Sequence, residues 1–136
     1  MLKLIRRLKP FAAYVMIITV ILIMVVSSIP HIPTLKIHTA KSDIRLDYLI
    51  HFCEYGFLAF MSYLAFTGNN FRVSALRFIL VTLCVILFAL LDEYHQKFIP
   101  GRTFNPKDLI SNISGIIFAA LFCIVVFRKI SLNPDR

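Results

Sequence analysis

The sequence predicts an all-α, polytopic membrane protein built as a bundle of four transmembrane helices. Two observations indicate this class: 59% of the 136 residues are hydrophobic, with a mean hydropathy of +0.81, and the apolar residues fall into four blocks. This apolar share is far above that of a typical soluble domain. Because the length allows one domain, we expect a single membrane domain over residues 1–136, with spans at about 11–28, 47–66, 75–94 and 106–127.

The first apolar block, Phe11–Val26, follows a short basic segment. A secretory signal peptide has the same order of features. The apolar run is long, however, and the residues after it make a poor cleavage site, so a retained first helix is favoured. Pro30 and Pro33 then stop the helix, and we expect residues 27–45 to form a loop in which His31 and His38 are solvated.

The second block is about twenty residues long, which is enough to cross a bilayer as a helix. Its polar residues follow a spacing of i, i+4, i+7 and i+8 and therefore share one helical face: Asp47, His51, Glu54 and Tyr55. We interpret Tyr55, like Tyr94 in the third block, as an amphipathic residue at the membrane interface. Gly56 allows another helix to approach closely.

The third block runs from about Ala75 to Leu91 and continues into polar residues through Gln96. A Pro-Gly turn follows. Asn105 and Pro106 then have the pattern of a helix start, with a capping side chain and a proline at the first helical position. One face of this fourth helix carries Asp108, Asn112, Gly115 and Ala119, and its last two members suit close helix packing.

The distribution of basic residues favours a cytoplasmic N-terminus. Four spans place both termini on one side, with nine of the fifteen Lys and Arg residues: Lys3, Arg6, Arg7, Lys9, Arg72, Arg77, Arg128, Lys129 and Arg136. The remaining six lie on the other side: Lys36, Lys41, Arg45, Lys97, Arg102 and Lys107. We therefore expect a multi-pass protein of the cell membrane with both termini in the cytoplasm.

This topology brings three polar segments together on the outer side: the start of the second span, the end of the third and the start of the fourth. Carboxylates and an arginine at a membrane boundary are costly unless they are paired or solvated, so their convergence indicates a site. The predicted ligand-binding residues are Asp47, His51, Glu54, Asp92, Glu93, Gln96, Arg102, Asp108 and Asn112.

Three of these residues also have a structural interpretation. Glu54 either handles a ligand or proton or makes an interhelical hydrogen bond to Asn112 or Arg102. Arg102 either clamps a phosphate with its planar guanidinium or forms a loop salt bridge to Asp92 or Asp108. Asp108, in turn, could simply support the helix N-terminus through its dipole.

The sequence predicts no cofactor and no metal. His51, Glu54, His95 and the neighbouring acidic residues offer ligand atoms, but their spacing matches no known metal motif. The net charge of +8 raises nucleic acid as a partner, yet the charges flank apolar blocks and no nucleic-acid motif is present. Cys53, Cys84 and Cys123 lie in three different blocks, and we expect buried, unpaired thiols.

Three motifs in this order resemble the VanZ-like membrane proteins: D-x-x-x-H-F-x-E-Y-G-x-L-x-F at 47–60, D-E-x-H-Q-x-F-x-P-G-R at 92–102 and D-x-x-x-N-x-x-G at 108–115. Tyr48 departs from the lysine of many members. The resemblance implies a bacterial cell-envelope protein, because the namesake is linked to resistance to teicoplanin, a lipid-tailed glycopeptide. It implies no particular reaction.

Two classes of function follow. The first is a binding module whose outer-facing polar cavity holds a lipid-linked or lipid-tailed anionic ligand, such as a lipid-linked wall precursor or a lipoglycopeptide. The second is an enzyme acting on such a substrate, with Glu54, Asp92 or Glu93 as acid or base. Membrane lipids are partners in either class. An assembly partner for another envelope protein is a third, weaker possibility.

Overall fold

The computed structural model describes residues 2–31, 36–38 and 43–132, with side chains for 2–31 and 46–132. This part of the chain contains four helices that are long and apolar enough to cross a membrane, here called the first to fourth spans: Leu2–Ser27, Asp47–Phe66, Ala75–Phe98 and Pro106–Leu132. The predicted all-α, multi-pass class is confirmed. Lys41 and Arg136, which the topology prediction uses, lie outside the described residues.

Two of the spans contain a tighter 3₁₀ turn. The first span consists of α1 (Leu2–Leu8), a 3₁₀ turn at Lys9–Phe11 and α2 (Ala12–Ser27). It therefore begins before the predicted residue 11, because the tighter turn accommodates Pro10. The other helices are α3 (Asp47–Phe66), α4 (Ala75–His95), which a 3₁₀ turn at Gln96–Phe98 extends, and α5 (Pro106–Leu132).

The segment predicted as a loop contains a short antiparallel hairpin. Strand β1 (Lys36–His38) pairs with β2 (Asp43–Arg45), with Ile37 opposite Ile44. The hairpin begins only after Pro33, in keeping with the exclusion of proline from paired strand interiors.

The second and fourth spans form the most extensive helix pair in the described structure. They meet at Gly56 and Gly115: a Cβ added to Gly115 would overlap the carbonyl oxygen of Phe52 and lie 3.0 Å from the Gly56 nitrogen. Only glycine allows this approach, which confirms the predicted close contact. Large apolar side chains such as Tyr14, 70% exposed, cover the outside of the bundle, as expected of a surface that faces lipid.

Candidate functional site

The polar end of the bundle is the end where the second and fourth spans begin and the third span ends. Five polar side chains from the third and fourth spans are buried there: Asp92, Glu93, Gln96, Asp108 and Asn112. Burying such groups is costly unless they bind one another or a ligand. The structure therefore brings together the segments that the sequence predicted to converge.

Tyr55 and Asp92 join the second and third spans. The Tyr55 hydroxyl donates a hydrogen bond of 2.9 Å to Asp92 Oδ2, and the tyrosine is completely buried. Its interpretation as a membrane-interface residue is therefore wrong. The sequence did contain a signal for this burial. Tyr55 shares a helical face with His51 and Glu54, and that face turns toward the other spans.

His51 of the second span lies between two carboxylates, one from the third span and one from the fourth. Its Nδ1 is 3.9 Å from Glu93 Oε1, and its Nε2 is 3.8 Å from Asp108 Oδ2. Asn105 holds Asp108 in place, since its amide nitrogen donates to Asp108 Oδ2 at 2.8 Å. The Asn105 side chain also accepts from the Lys107 amide at 3.1 Å, which confirms the predicted cap of the fourth span.

Several buried polar atoms at this end have no hydrogen-bond partner among the described residues. They are His51 Nδ1, Asp92 Oδ1, both carboxylate oxygens of Glu93, His95 Nδ1, Gln96 Nε2, Asp108 Oδ1 and both amide atoms of Asn112. Folded proteins satisfy most such groups, so each exception requires an explanation. Their concentration at one end of the bundle is typical of a polar binding site.

Arg102 stabilises the end of the first span. It donates to the backbone carbonyls of Ile29 at 3.2 Å and Val26 at 3.1 Å, and to Gln96 Oε1 at 3.0 Å. Unpaired carbonyls at a helix C-terminus favour such a cation. Within the described structure these contacts replace the expected salt bridge to Asp92 or Asp108, and the phosphate clamp stays a prediction.

Glu54 and Asp47 lie at the edge of the cluster. Glu54 is partly exposed and sits near enough to Asp92 and Arg102 to interact electrostatically with both. The expected hydrogen bond from Asn112 to Glu54 is not formed. Asp47 is the first residue of the second span, one turn before His51, and is partly exposed.

The segment after the first span packs against the Pro-Gly turn. The His31 amide donates to the Pro100 carbonyl at 3.1 Å, and a Cβ on Gly101, whose φ is +76°, would lie 2.7 Å from the His31 ring. His31 is exposed as predicted, yet it also fixes this loop contact. The side chain of His38 lies outside the described residues.

The cysteines agree only in part with the prediction. Cys53, Cys84 and Cys123 are all free, but only Cys123 is buried. Cys53 and Cys84 are exposed, so the expectation of buried thiols is wrong for these two.

The fold and the site together define a polytopic membrane protein with a polar cluster buried at one end of a helical bundle. A sequence profile of the VanZ/LLP1 family matches residues 6–128. The match covers all four spans and every predicted site residue, and the chain belongs to this family. No curated protein and no solved structure matches the chain.

Proposed function

We propose that this VanZ/LLP1 protein of the bacterial cell envelope binds an amphipathic ligand, with its polar head at the polar end and its tail in an apolar cavity among the helices. A lipid-linked wall precursor and a lipid-tailed glycopeptide such as teicoplanin both have this chemistry. The observation that carries the proposal is the position of an apolar cavity next to the polar cluster.

The cavity has a volume of about 460 Å³ and lies among the first three spans; its lining includes Met16, Val20, Leu58, Val81, Val85 and Phe88. Leu58 follows Tyr55 by one helical turn, and Phe88 precedes Asp92 by one turn. The rings of Phe88 and Tyr55 are 6.0 Å apart. A ligand tail in this cavity would therefore extend up to the Tyr55–Asp92 hydrogen bond. The polar head of the ligand would then meet the unpaired polar atoms.

The topology predicted from the basic residues places this polar end on the outer face of the membrane. Wall precursors and glycopeptides are exposed on that face, so the orientation and the ligand class are consistent.

Binding is tested with purified protein in detergent and two pairs of ligands. A polyprenyl phosphate is compared with the free alcohol, and teicoplanin with a glycopeptide that lacks the lipid tail. Cys84 lines the cavity and Leu83 does not, so Cys84→Trp should fill the cavity and weaken binding of the tailed ligand tenfold or more. The matched Leu83→Trp should bind like the wild type. Equal affinity for tailed and tail-free ligands would contradict the proposal.

A second candidate is an enzyme acting on a lipid-linked substrate. It is favoured by the position of His51 between Glu93 and Asp108, because an imidazole beside carboxylates is typical of general acid–base catalysis. Mass spectrometry of the lipid after incubation distinguishes the two functions. An enzyme converts the lipid and His51→Gln abolishes the conversion, whereas a binding module returns the lipid unchanged.

A further inference from the structure

Three side chains from three different spans converge at the polar end. His51 comes from the second span, Glu93 from the third and Asp108 from the fourth, and one potential ligand atom of each lies within 4.8 Å of the others. These residues are far apart in sequence, which is why their spacing matches no metal motif. Imidazole nitrogen and carboxylate oxygen are both common ligands of divalent transition metals.

Glu93 is the member that most needs a partner. Its side chain has no exposed surface, and the Asn105 backbone amide lies near its carboxylate without forming a hydrogen bond of ordinary geometry. Asp92 and Asp108 lie near enough to interact with it electrostatically. A charged carboxylate in such a buried position is strongly disfavoured, so this position favours either a cation or a proton.

Arg102 interacts with Glu93 electrostatically but forms no ion pair with it among the described residues. Arg102 directs its donors to Gln96 and to the carbonyls of Val26 and Ile29. The nitrogen–oxygen separations around His51, 3.9 and 3.8 Å, are too long for hydrogen bonds. The atoms that would share one ion, one from each residue, lie within 4.8 Å of one another, so small side-chain adjustments would bring them to metal bonds of about 2.0–2.2 Å.

We propose that His51, Glu93 and Asp108 form a binding site for a divalent transition-metal ion such as Zn²⁺ or Mn²⁺. One ring nitrogen of His51 would ligate the ion together with one carboxylate oxygen each from Glu93 and Asp108. Three protein ligands leave a coordination position open for an exogenous group.

Asn112 supports this assignment independently. It lies one turn after Asp108 on the buried face of the fourth span, and neither of its amide atoms has a hydrogen bond among the described residues. The Asn112 amide is therefore a further buried polar group at this end that a bound ion or its water ligands would satisfy. The mixed nitrogen and oxygen set favours a transition metal over Ca²⁺ or Mg²⁺, which prefer oxygen alone.

The site is tested with Co²⁺ as a spectroscopic probe and needs no lipid, so its outcome is independent of the proposed function. Tag-free protein in detergent is stripped with a chelator and titrated with Co²⁺. We expect saturable visible ligand-field bands that Zn²⁺ abolishes by displacement. Intense thiolate charge-transfer bands should be absent, because Cys53, Cys84 and Cys123 are not part of the site.

The variants His51→Gln and Glu93→Gln should each weaken Co²⁺ binding tenfold or more. His31→Gln removes an exposed histidine beside the Pro-Gly turn and should bind like the wild type. Gel filtration and thermal melting establish whether each variant is folded. If a site variant does not fold, Asp108→Asn is tested in its place. Zn²⁺ should raise the melting temperature of the wild type and of His31→Gln, with a smaller shift in the site variants.

The proposal is overturned if the wild type leaves Co²⁺ with its aqueous spectrum. It is also overturned if His31→Gln weakens binding as much as His51→Gln, or if thiolate bands dominate the spectrum.

Discussion

Gly56 and Gly115 bring the backbones of the second and fourth spans into contact, with no room for a side chain on Gly115 and only a tight fit for one on Gly56. A Cβ on Gly56 would lie 3.2 Å from the Gly115 carbonyl oxygen, and a Cβ on Gly115 would overlap the Phe52 carbonyl. His51 and Asp108 precede these glycines by one to two helical turns on their respective spans. The glycine contact therefore fixes the distance between two of the side chains in the polar cluster.

Gly115→Ala should destabilise the protein by about 1–3 kcal/mol, the usual cost of overpacking. Gly56→Ala should destabilise the protein less, because its added Cβ would be tightly packed against the Gly115 carbonyl oxygen without overlapping it. Thermal melting in detergent measures both effects. The matched control is Ser114→Ala on the exposed side of the fourth span, and an equal loss there would show that the glycine contact is unimportant.

Tyr55→Phe should lower stability by about 1–3 kcal/mol, because it leaves the buried Asp92 carboxylate without its hydrogen-bond donor. Tyr63→Phe is a close control, since the Tyr63 hydroxyl bonds the neutral Thr82 side chain at 2.7 Å. That substitution should cost only ~0.5–1.5 kcal/mol. Combining Tyr55→Phe with Asp92→Asn should recover part of the loss. Equal melting temperatures for the two tyrosine variants would argue against a special role for Asp92.

Arg102→Lys tests whether this arginine is a structural or a binding residue. A lysine keeps the charge but cannot reach Val26, Ile29 and Gln96 at once, so we expect a loss of about 1 kcal/mol in the free energy of unfolding. Binding of a polyprenyl phosphate per folded molecule should be unchanged. Arg128→Lys, an exposed substitution on the fourth span, is the control. Weakened lipid binding with no change in melting temperature would favour the phosphate clamp instead.

The predicted orientation is tested by cysteine labelling of intact cells, in a background without the native cysteines. Cysteines at Lys41 and Thr103 should react with a membrane-impermeant reagent. Cysteines at Asn69 and Arg136 should react only after the membrane is permeabilised. Labelling of Arg136 in intact cells would place the polar end in the cytoplasm and remove the outer-face ligands from consideration.

The sequence alone determined the number of spans and most of their boundaries. Hydrophobic length and helix capping are local properties, so the runs after Asp47 and Ala75 and the cap at Asn105 are visible without a structure. The start of the first span was missed because Pro10 reads as a helix boundary, although a 3₁₀ turn accommodates it. The sequence also identified the helical faces that carry His51, Glu54, Asp108 and Asn112.

The tertiary structure alone decided which of these side chains meet. Tyr55 pairs with Asp92, Arg102 with the end of the first span, and His51 lies between Glu93 and Asp108. Helical periodicity specifies a face of each helix but not its rotation or depth relative to its neighbours. Those are set by packing between residues distant in sequence, above all at Gly56 and Gly115, where the absence of two side chains brings the second and fourth spans together.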